Sequence, residues 1–401
     1  MQLTNPLALL ICLLGLSVGY VNAELAQNLE QQITNEKIRV QSYYGPYEAN
    51  LKLPGKPAPS LGEPDEEWWQ APTKANRPYN LAVLFPHLKD PFWVTVNYGI
   101  ATQAKKYGVG MQLWHAGGYR NLGKQVQQMQ YILDHKDQYD GLIIGAVQFQ
   151  KPKLEEMYER FAQAGIPIVS VINDSYTPSI KAKALVSWEK LGYQAGKFLV
   201  DHSQGKKVQV LVLPGPRGTG WAPDSFSGFE AALNTLDPKG NITVLPAIWG
   251  DTGDKTQRHL LRFILKRYEN VDYLVSNAIA ANAMITAGPD GKMAPIEEFK
   301  EQHPNIKIIS TYITQQVYDA IAAGKVLASS TDQMKQQGMM SVDMMIKYLN
   351  GETPGSKEDR FPFRSGPIVP IIHQDNITQW PFLKLFGSRE FQPVFKLEPQ
   401  L

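Results

Sequence analysis

At 401 residues the chain is too long for one ordinary domain, and its 43% apolar content can fill more than one core. Charged residues make up 19%, and the formal net charge of +2 comes without a basic run, which argues against nucleic acid as a partner.

Residues 1–23 read as a secretory signal peptide. "LALLICLLGLSVG" is an apolar run, and Val21–Ala23 has the small-residue spacing of a cleavage site. The segment before the run carries no Lys or Arg, which leaves an uncleaved anchor as the alternative. The run is nevertheless short of the ~20 apolar residues of a membrane span. Cys12, the only cysteine, lies inside it and lacks the small residue that precedes a lipidated cysteine. A cleaved chain is then cysteine-free, rests on its core and suits the periplasm of a Gram-negative bacterium. No later stretch reads as transmembrane, so no membrane insertion is expected after cleavage.

Residues 24–77 form an extended arm. It starts with a possible short helix, "ELAQNLEQQITNEKIRV", and continues through the Pro-rich "LKLPGKPAPSLGEP". The aromatic clusters "YYGPY" and "EEWW" favour an arm packed on the body over a loose linker.

From Tyr79 onward short apolar runs alternate with amphipathic stretches. "YNLAVLF", "VGMQLWHA", "DGLIIGAV" and "IPIVSVIND" are strands separated by helices, with Gly108 and Gly165 placed to stop two of those helices. The alternation then restarts. "KALVSWEKLGYQAGKFLVDH" runs a short strand into a helix, followed by the strands "KVQVLVLPG", "ITVLPAIW", "VDYLVSN", "IKIISTYI" and "VLASSTD". Such runs imply parallel strands with right-handed crossovers. The expected fold class is α/β: two doubly wound parallel-sheet lobes joined by a multi-strand hinge. The expected division is 78–184 plus 314–348 for the first lobe, 185–313 plus 349–378 for the second, and 379–401 for a tail.

Enzymatic motifs are missing. There is no HExxH, GxSxG, Walker A or GxGxxG after a strand, and "LPGPRGTGW" lacks the Lys-Ser/Thr ending of a phosphate loop. The seven His are scattered without ligand spacing, so neither a metal nor a cofactor is expected. A secreted hydrolase using cleft carboxylates lacks both a nucleophile and a paired acid and base.

Ligands of doubly wound sheets collect at strand carboxyl ends. Here those ends carry Asp90, Phe92 and Trp93; then Trp114, His115 and Tyr119; then Asn173, Asp174 and Tyr176. Beyond the crossover come Trp188, Trp221, Trp249, Asn277, Tyr312 and Asp332. Any one ring alone reads as a plug at a lobe interface, and Asp332 alone reads as a helix cap. Together they are aromatic and acidic with little Arg or Lys. Aromatic faces attract methylated ammonium groups, at ~0.5–2 kcal/mol per desolvated face. A carboxylate such as Asp90 or Asp332 adds charge, and indole N–H or phenol O–H can donate to an oxygen. A small, methylated, oxygen-bearing amine would use all of these groups.

The pattern from about residue 79 to 375 resembles the ribose/galactose-type, or type I, periplasmic binding proteins. "KDPFW" resembles that family's sugar-holding loop after the first strand, and "LVSWEKLGYQAGKFL" its first helix past the hinge. "VSNAIAANAMI" is similar to its strand–helix turn, which makes Asn277 the implied polar contact. "TDQMKQQGMMSVDMM" looks like the entry to its last helix. The departures replace polar groups by rings: Trp221 stands in the loop of a sugar-binding Arg, Tyr312 at a hinge Asp, and Trp188 at an acidic position. Sugar hydroxyls left unpaired against these rings would cost ~1–3 kcal/mol each. The Trp-rich arm, "FPHLKDPFWVTVNYGI", "HAGGY", "VSWEKLGYQAG" and "PGPRGTGWAPDSFSGF" resemble the trimethylamine N-oxide-sensing branch of the family. That resemblance implies trimethylamine N-oxide as the ligand, held by Asp90, Trp93, Tyr119, Trp188, Trp221 and Tyr312. It also implies a complex with the periplasmic domain of an inner-membrane sensor histidine kinase. The alternative is a receptor that delivers a sugar or quaternary amine to an ABC transporter.

Overall fold

The computed structural model describes residues 37–45, 63–148, 151–175, 177–268, 270–286 and 303–400. The expected signal segment, residues 24–36 of the possible arm helix, nearly all of the Pro-rich stretch and Tyr176 lie outside the described residues. Arg39 and Val40, the end of that possible helix, are already strand.

The arm supplies two antiparallel strands, β1 (Arg39–Tyr43) and β2 (Asp65–Trp68). The first alternating unit follows: β3 (Asn80–Phe85), α1 (Pro91–Lys106), β4 (Gly110–His115), α2 (Leu122–Asp134), β5 (Gly141–Ile144), α3 (Pro152–Gln163), β6 (Ile168–Val171) and β7 (Ile180–Ala184). The strands are buried on both faces, as expected when helices cover a parallel sheet. Helix α3 shows the complementary pattern, burying Leu154, Met157, Tyr158 and Phe161 along one stripe.

The second unit comprises α4 (Trp188–Ser203), β8 (Val208–Leu213), α5 (Trp221–Leu236), β9 (Ile242–Val244), α6 (Asp254–Arg267), β10 (Tyr273–Ser276), α7 (Ala278–Ile285), β11 (Lys307–Ser310), α8 (Gln315–Ala322) and β12 (Ala328–Ser330). Strand β9 is shorter than "ITVLPAIW" suggests, because Pro246 has no N–H to give the ladder. The chain then returns to the first lobe with α9 (Met334–Leu349) and β13 (Arg364–Pro367). It visits the second with β14 (Ile371–His373) and ends on the first with α10 (Phe382–Phe386) and β15 (Lys396–Leu397).

Two sheets result, ordered β15-β4-β3-β5-β6-β7-β13-β1-β2 and β14-β12-β11-β10-β8-β9. Their centres are parallel, whereas arm, tail and β14 add antiparallel edges. The sheets correct the expected division. Residues 314–330 carry α8 and β12, and β12 pairs with β11 of the second sheet. The return to the first lobe comes at 331–333, and β13 pairs with β7 there. The reason is that β12 buries its short backbone ladder against β11, a long-range pairing with no local signal. Four connections therefore join the lobes: short ones at 185–187, 331–333 and 368–370, and the longer return between β14 and β15.

Each lobe has one helix pair in very close contact. A Cβ on Gly99 or Gly338 would strike the backbone of the facing helix in the α1–α9 pair, and Gly192 and Gly228 do the same for α4 and α5. Among the described residues no helix is long and apolar enough to cross a membrane.

Candidate functional site

In each sheet the strand order reverses beside the lobe's first strand, β3 or β8. A crevice opens at that reversal, and the first turn of the following helix sits over it. In the first lobe Asp90 caps α1, its carboxylate accepting from the Phe92 N–H at 3.1 Å. That cap turns Phe92 and Trp93 inward. In the second lobe Trp221 is the first residue of α5. A glycine seats each indole. A Cβ on Gly145, just after β5, would lie 2.3 Å from Trp93, and one on Gly215, which has φ +126°, would lie 2.7 Å from Trp221.

The two sides meet around a small cavity of about 20 Å³, lined by Asp90, Phe92, Trp93, Tyr119, Ile172, Asn173, Trp188, Trp221, Thr252 and Tyr312. Six of the eight sequence-predicted residues are thus brought together: Asp90, Trp93, Tyr119, Trp188, Trp221 and Tyr312. The rings touch in a chain across the lobes. Phe92 meets Tyr312 edge-on at 5.4 Å, Tyr312 meets Trp221 at 5.6 Å, and Trp221 lies 5.5 Å from Trp188. No cationic side chain is among the lining residues. The nearest one bearing on Asp90, Lys89, is engaged across the cleft with Asp251 at 3.0 Å.

Polar atoms at the site differ in how they are satisfied. Trp93 Nε1 donates to the Tyr119 hydroxyl at 3.2 Å, and Trp188 Nε1 donates to the Ile172 carbonyl at 3.1 Å. Ile172 holds φ +65°, a strained conformation for a β-branched residue, and its strained carbonyl is what receives the Trp188 indole from the other lobe. Trp221 Nε1, Thr252 Oγ1 and Asn173 Oδ1 are buried without a hydrogen-bond partner. Burial pushes the Asp90 carboxyl up to about 6, opposed by Lys89 and the capping N–H groups. Behind the rings, burial pushes His87 down to about 3, so it is a neutral ring packed edge-on to Tyr119 at 5.0 Å.

Two predicted residues do not reach the cavity. Asn277 caps α7: its Oδ1 accepts from Ile279 and Ala280, and its Nδ2 donates to the Leu213 carbonyl and to Gln257. Its amide is used up inside the second lobe, which corrects the implied ligand contact. Asp332 sits fully buried in the 331–333 connection. Its Oδ2 accepts from Gln337 at 3.0 Å, and burial pushes its carboxyl up to about 7. It caps no helix by its side chain and lines no part of the cavity. Of the wider set, Trp114 packs on Tyr131 and Tyr139, Asp174 pairs with the buried Lys183 at 2.6 Å, and Trp249 stacks under Arg217.

Sequence reasoning did not single out Ile172, Thr252 or His87. Thr252 follows "ITVLPAIW" closely enough for the strand-end rule to have found it. Ile172 had no signal, since its role comes from its backbone. Among the described residues no group of His, Cys, Asp and Glu could hold a metal ion.

Residues 81–353 match the periplasmic binding protein domain family, and the chain belongs to that family, whose members bind solutes rather than transform them. The periplasmic protein TorT of Escherichia coli strain K12 is 31% identical over 326 residues, spanning 81% of this chain and 86% of that protein. An ABC transporter solute-binding protein from Bradyrhizobium sp. BTAi1, solved with bound bis-tris, is similar with a TM-score of 0.72 and 28% identity. It covers 90% of this chain and 98% of its own. TorT in complex with the TorS sensor domain, solved in the presence of TMAO, aligns with a TM-score of 0.66 and 26% identity over 79% of this chain and 99% of its own.

Proposed function

We propose that this periplasmic binding protein holds trimethylamine N-oxide between its lobes in the periplasm and reports its presence to the periplasmic domain of a membrane sensor histidine kinase. The observation that carries this reading is the cavity itself: six rings contributed by both lobes, one carboxylate, no lining cation and very little space. Ring faces suit methyl groups that bear partial positive charge, and a cavity this small suits a ligand of few atoms. The unpartnered Trp221 N–H suits the ligand oxygen. The partner is supported by the likeness to TorT, which was solved bound to the TorS sensor domain.

Ligand acts in this reading by favouring one lobe geometry. It shifts the population that the kinase domain recognises only by as much as its affinities for the two geometries differ. Calorimetry with trimethylamine N-oxide, on the secreted chain alone and with the kinase's periplasmic domain, tests it. Heat of binding in either case supports it, and no binding in both rejects it.

A second reading has its own support. The Bradyrhizobium solute-binding protein aligns over more of this chain than the TorT complex does. In that reading the chain is a receptor delivering a sugar or quaternary amine to an ABC transporter, and a pull-down recovering permease subunits instead of a kinase would select it.

A further inference from the structure

The long return from β14 to β15 touches both lobes. Its helix α10 is fixed to the first. From the first turn of α9, Lys335 Nζ donates to the Leu383 carbonyl and Gln336 Nε2 to the Lys384 carbonyl, both at 2.8 Å. Gly387, at φ +78°, then turns the chain onto α1, so closely that a Cβ there would lie 2.3 Å from the Tyr98 ring. Beyond the turn Phe391 meets Tyr98 edge-on at 4.9 Å. Asn97 pairs with the Val394 backbone through both halves of its amide, at 3.0 and 2.7 Å. Strand β15 completes the anchorage on β4.

The same segment also rests on the second lobe. Tyr318, on α8, packs edge-on against Phe382 at 5.7 Å and Phe386 at 5.8 Å. Beside it, Asp319 accepts from Arg389 Nη1 at 2.9 Å and Nη2 at 2.6 Å, and the guanidinium stacks 3.6 Å over the Phe382 ring. Helix α8 belongs to the second lobe, burying Val317, Ala320 and Ile321 there. It starts close to the ligand cavity: Tyr312, a lining residue, lies two positions before the Thr314 cap. A contact with one half on each lobe survives only a narrow range of lobe geometries. Here it is made while the lobes meet around the ring cavity.

We propose that α8 and the tail form a strut outside the cleft, one that favours the closed approach of the lobes before any ligand arrives. Turning the lobes apart carries Tyr318 away from Phe382 and Phe386 and returns ring surface to water. The rings supply most of the preference. The Arg389 and Asp319 side chains are 49% and 51% exposed, so their charges are screened and chiefly fix the register of the contact. Tyr312 joins the strut to the cavity through five intervening residues, so ligand and strut bias the same equilibrium.

Distances between two spin labels, one per lobe, test this in the ligand-free secreted chain. Lys153→Cys on α3 and Lys266→Cys on α6 provide exposed sites, and the only native cysteine, Cys12, falls in the expected signal segment. The labelled parent should show one dominant separation. Tyr318→Ala should raise the population at a second separation by about tenfold. Arg389→Glu should raise it by about two- to fivefold, and adding Asp319→Arg should return it to the parent value. The charge reversal alters only half-exposed side chains, so it is read in a folded protein even where Tyr318→Ala unfolds. Unchanged distances in Arg389→Glu and in a folded Tyr318→Ala overturn the proposal, as does an Arg389→Glu shift that Asp319→Arg fails to reverse. Trimethylamine N-oxide should bind Tyr318→Ala about tenfold more weakly than the parent. That arm rests on the function proposed above: no binding by parent and variant alike rejects the ligand, whereas the distances, read without it, decide the strut.

Discussion

The two cavity-facing indoles that follow β3 and β8 sit in equivalent places and are satisfied differently. Trp93 and Trp221 each lie in the first turn of the helix after the first strand of a lobe, and each is seated against a glycine. The Trp93 N–H is spent inside the protein on Tyr119, whereas the Trp221 N–H has no acceptor. The first-lobe wall is therefore a finished surface that offers ring faces and a carboxylate. The second-lobe wall keeps an open donor. A ligand with a methylated end and an oxygen end is thereby given a direction across the cleft, and only a ligand reaching both walls favours their approach.

The largest effect should come from truncating the finished wall. Trp93 is 1% exposed, so Trp93→Ala removes core packing as well as a binding face. It should cost about 3–5 kcal/mol of stability by denaturant titration, together with all measurable trimethylamine N-oxide binding. Trp93→Phe separates the two roles. It keeps most of the core but strands the Tyr119 hydroxyl, and should weaken binding while the protein stays folded.

Removing only the open donor is a smaller change. Trp221→Phe should lower affinity for trimethylamine N-oxide by about tenfold, the worth of one hydrogen bond in a dry site. Binding of tetramethylammonium, which has no oxygen, should be unaffected. Equal losses for both ligands would mean that Trp221 contributes its face alone, and the contrast between the walls would disappear.

The carboxylate provides a third test. Asp90 titrates near 6 in the folded protein because burial disfavours its charge. A ligand that favours the carboxylate binds fully above that pH. Below it, affinity should fall by up to about tenfold per pH unit, as a proton must first leave. Asp90→Asn should flatten this profile in calorimetry between pH 5 and 8, a range set by the value near 6. The same raised value works against folding as pH rises from the ordinary carboxyl range toward 6, since the unfolded chain gives up its proton sooner.

The smallest effect should come from the clasp between the walls. Lys89 and Asp251 are 33% and 21% exposed, so Lys89→Met should change binding by no more than about 0.5 kcal/mol. That difference should fade with added salt if the pair acts by charge. A larger, salt-independent loss would show that the clasp does more than hold the lobes by charge.

By itself the sequence determined the central strands of each lobe, the helices between them and the two-lobed plan, but not the antiparallel edge strands from arm and tail. Apolar runs buried on two faces and stripes buried on one are written locally. It also singled out strand-end residues that include eight of the ten lining the cavity, six of them among the residues expected to hold ligand. Tertiary structure alone decided which strand-end residues share a cavity. Asn277 and Asp332 carry groups that could serve a ligand, but Asn277 is consumed by Leu213 and Gln257, distant along the chain, and Asp332 is buried in a lobe connection against Gln337. It also decided where the chain crosses back between lobes, because β12 finds its ladder with β11 and β14 rather than in its own short sequence. Propensity and periodicity describe a residue's surroundings within a few positions. The satisfaction of a buried polar group depends on partners brought there by folding, and no local pattern encodes them.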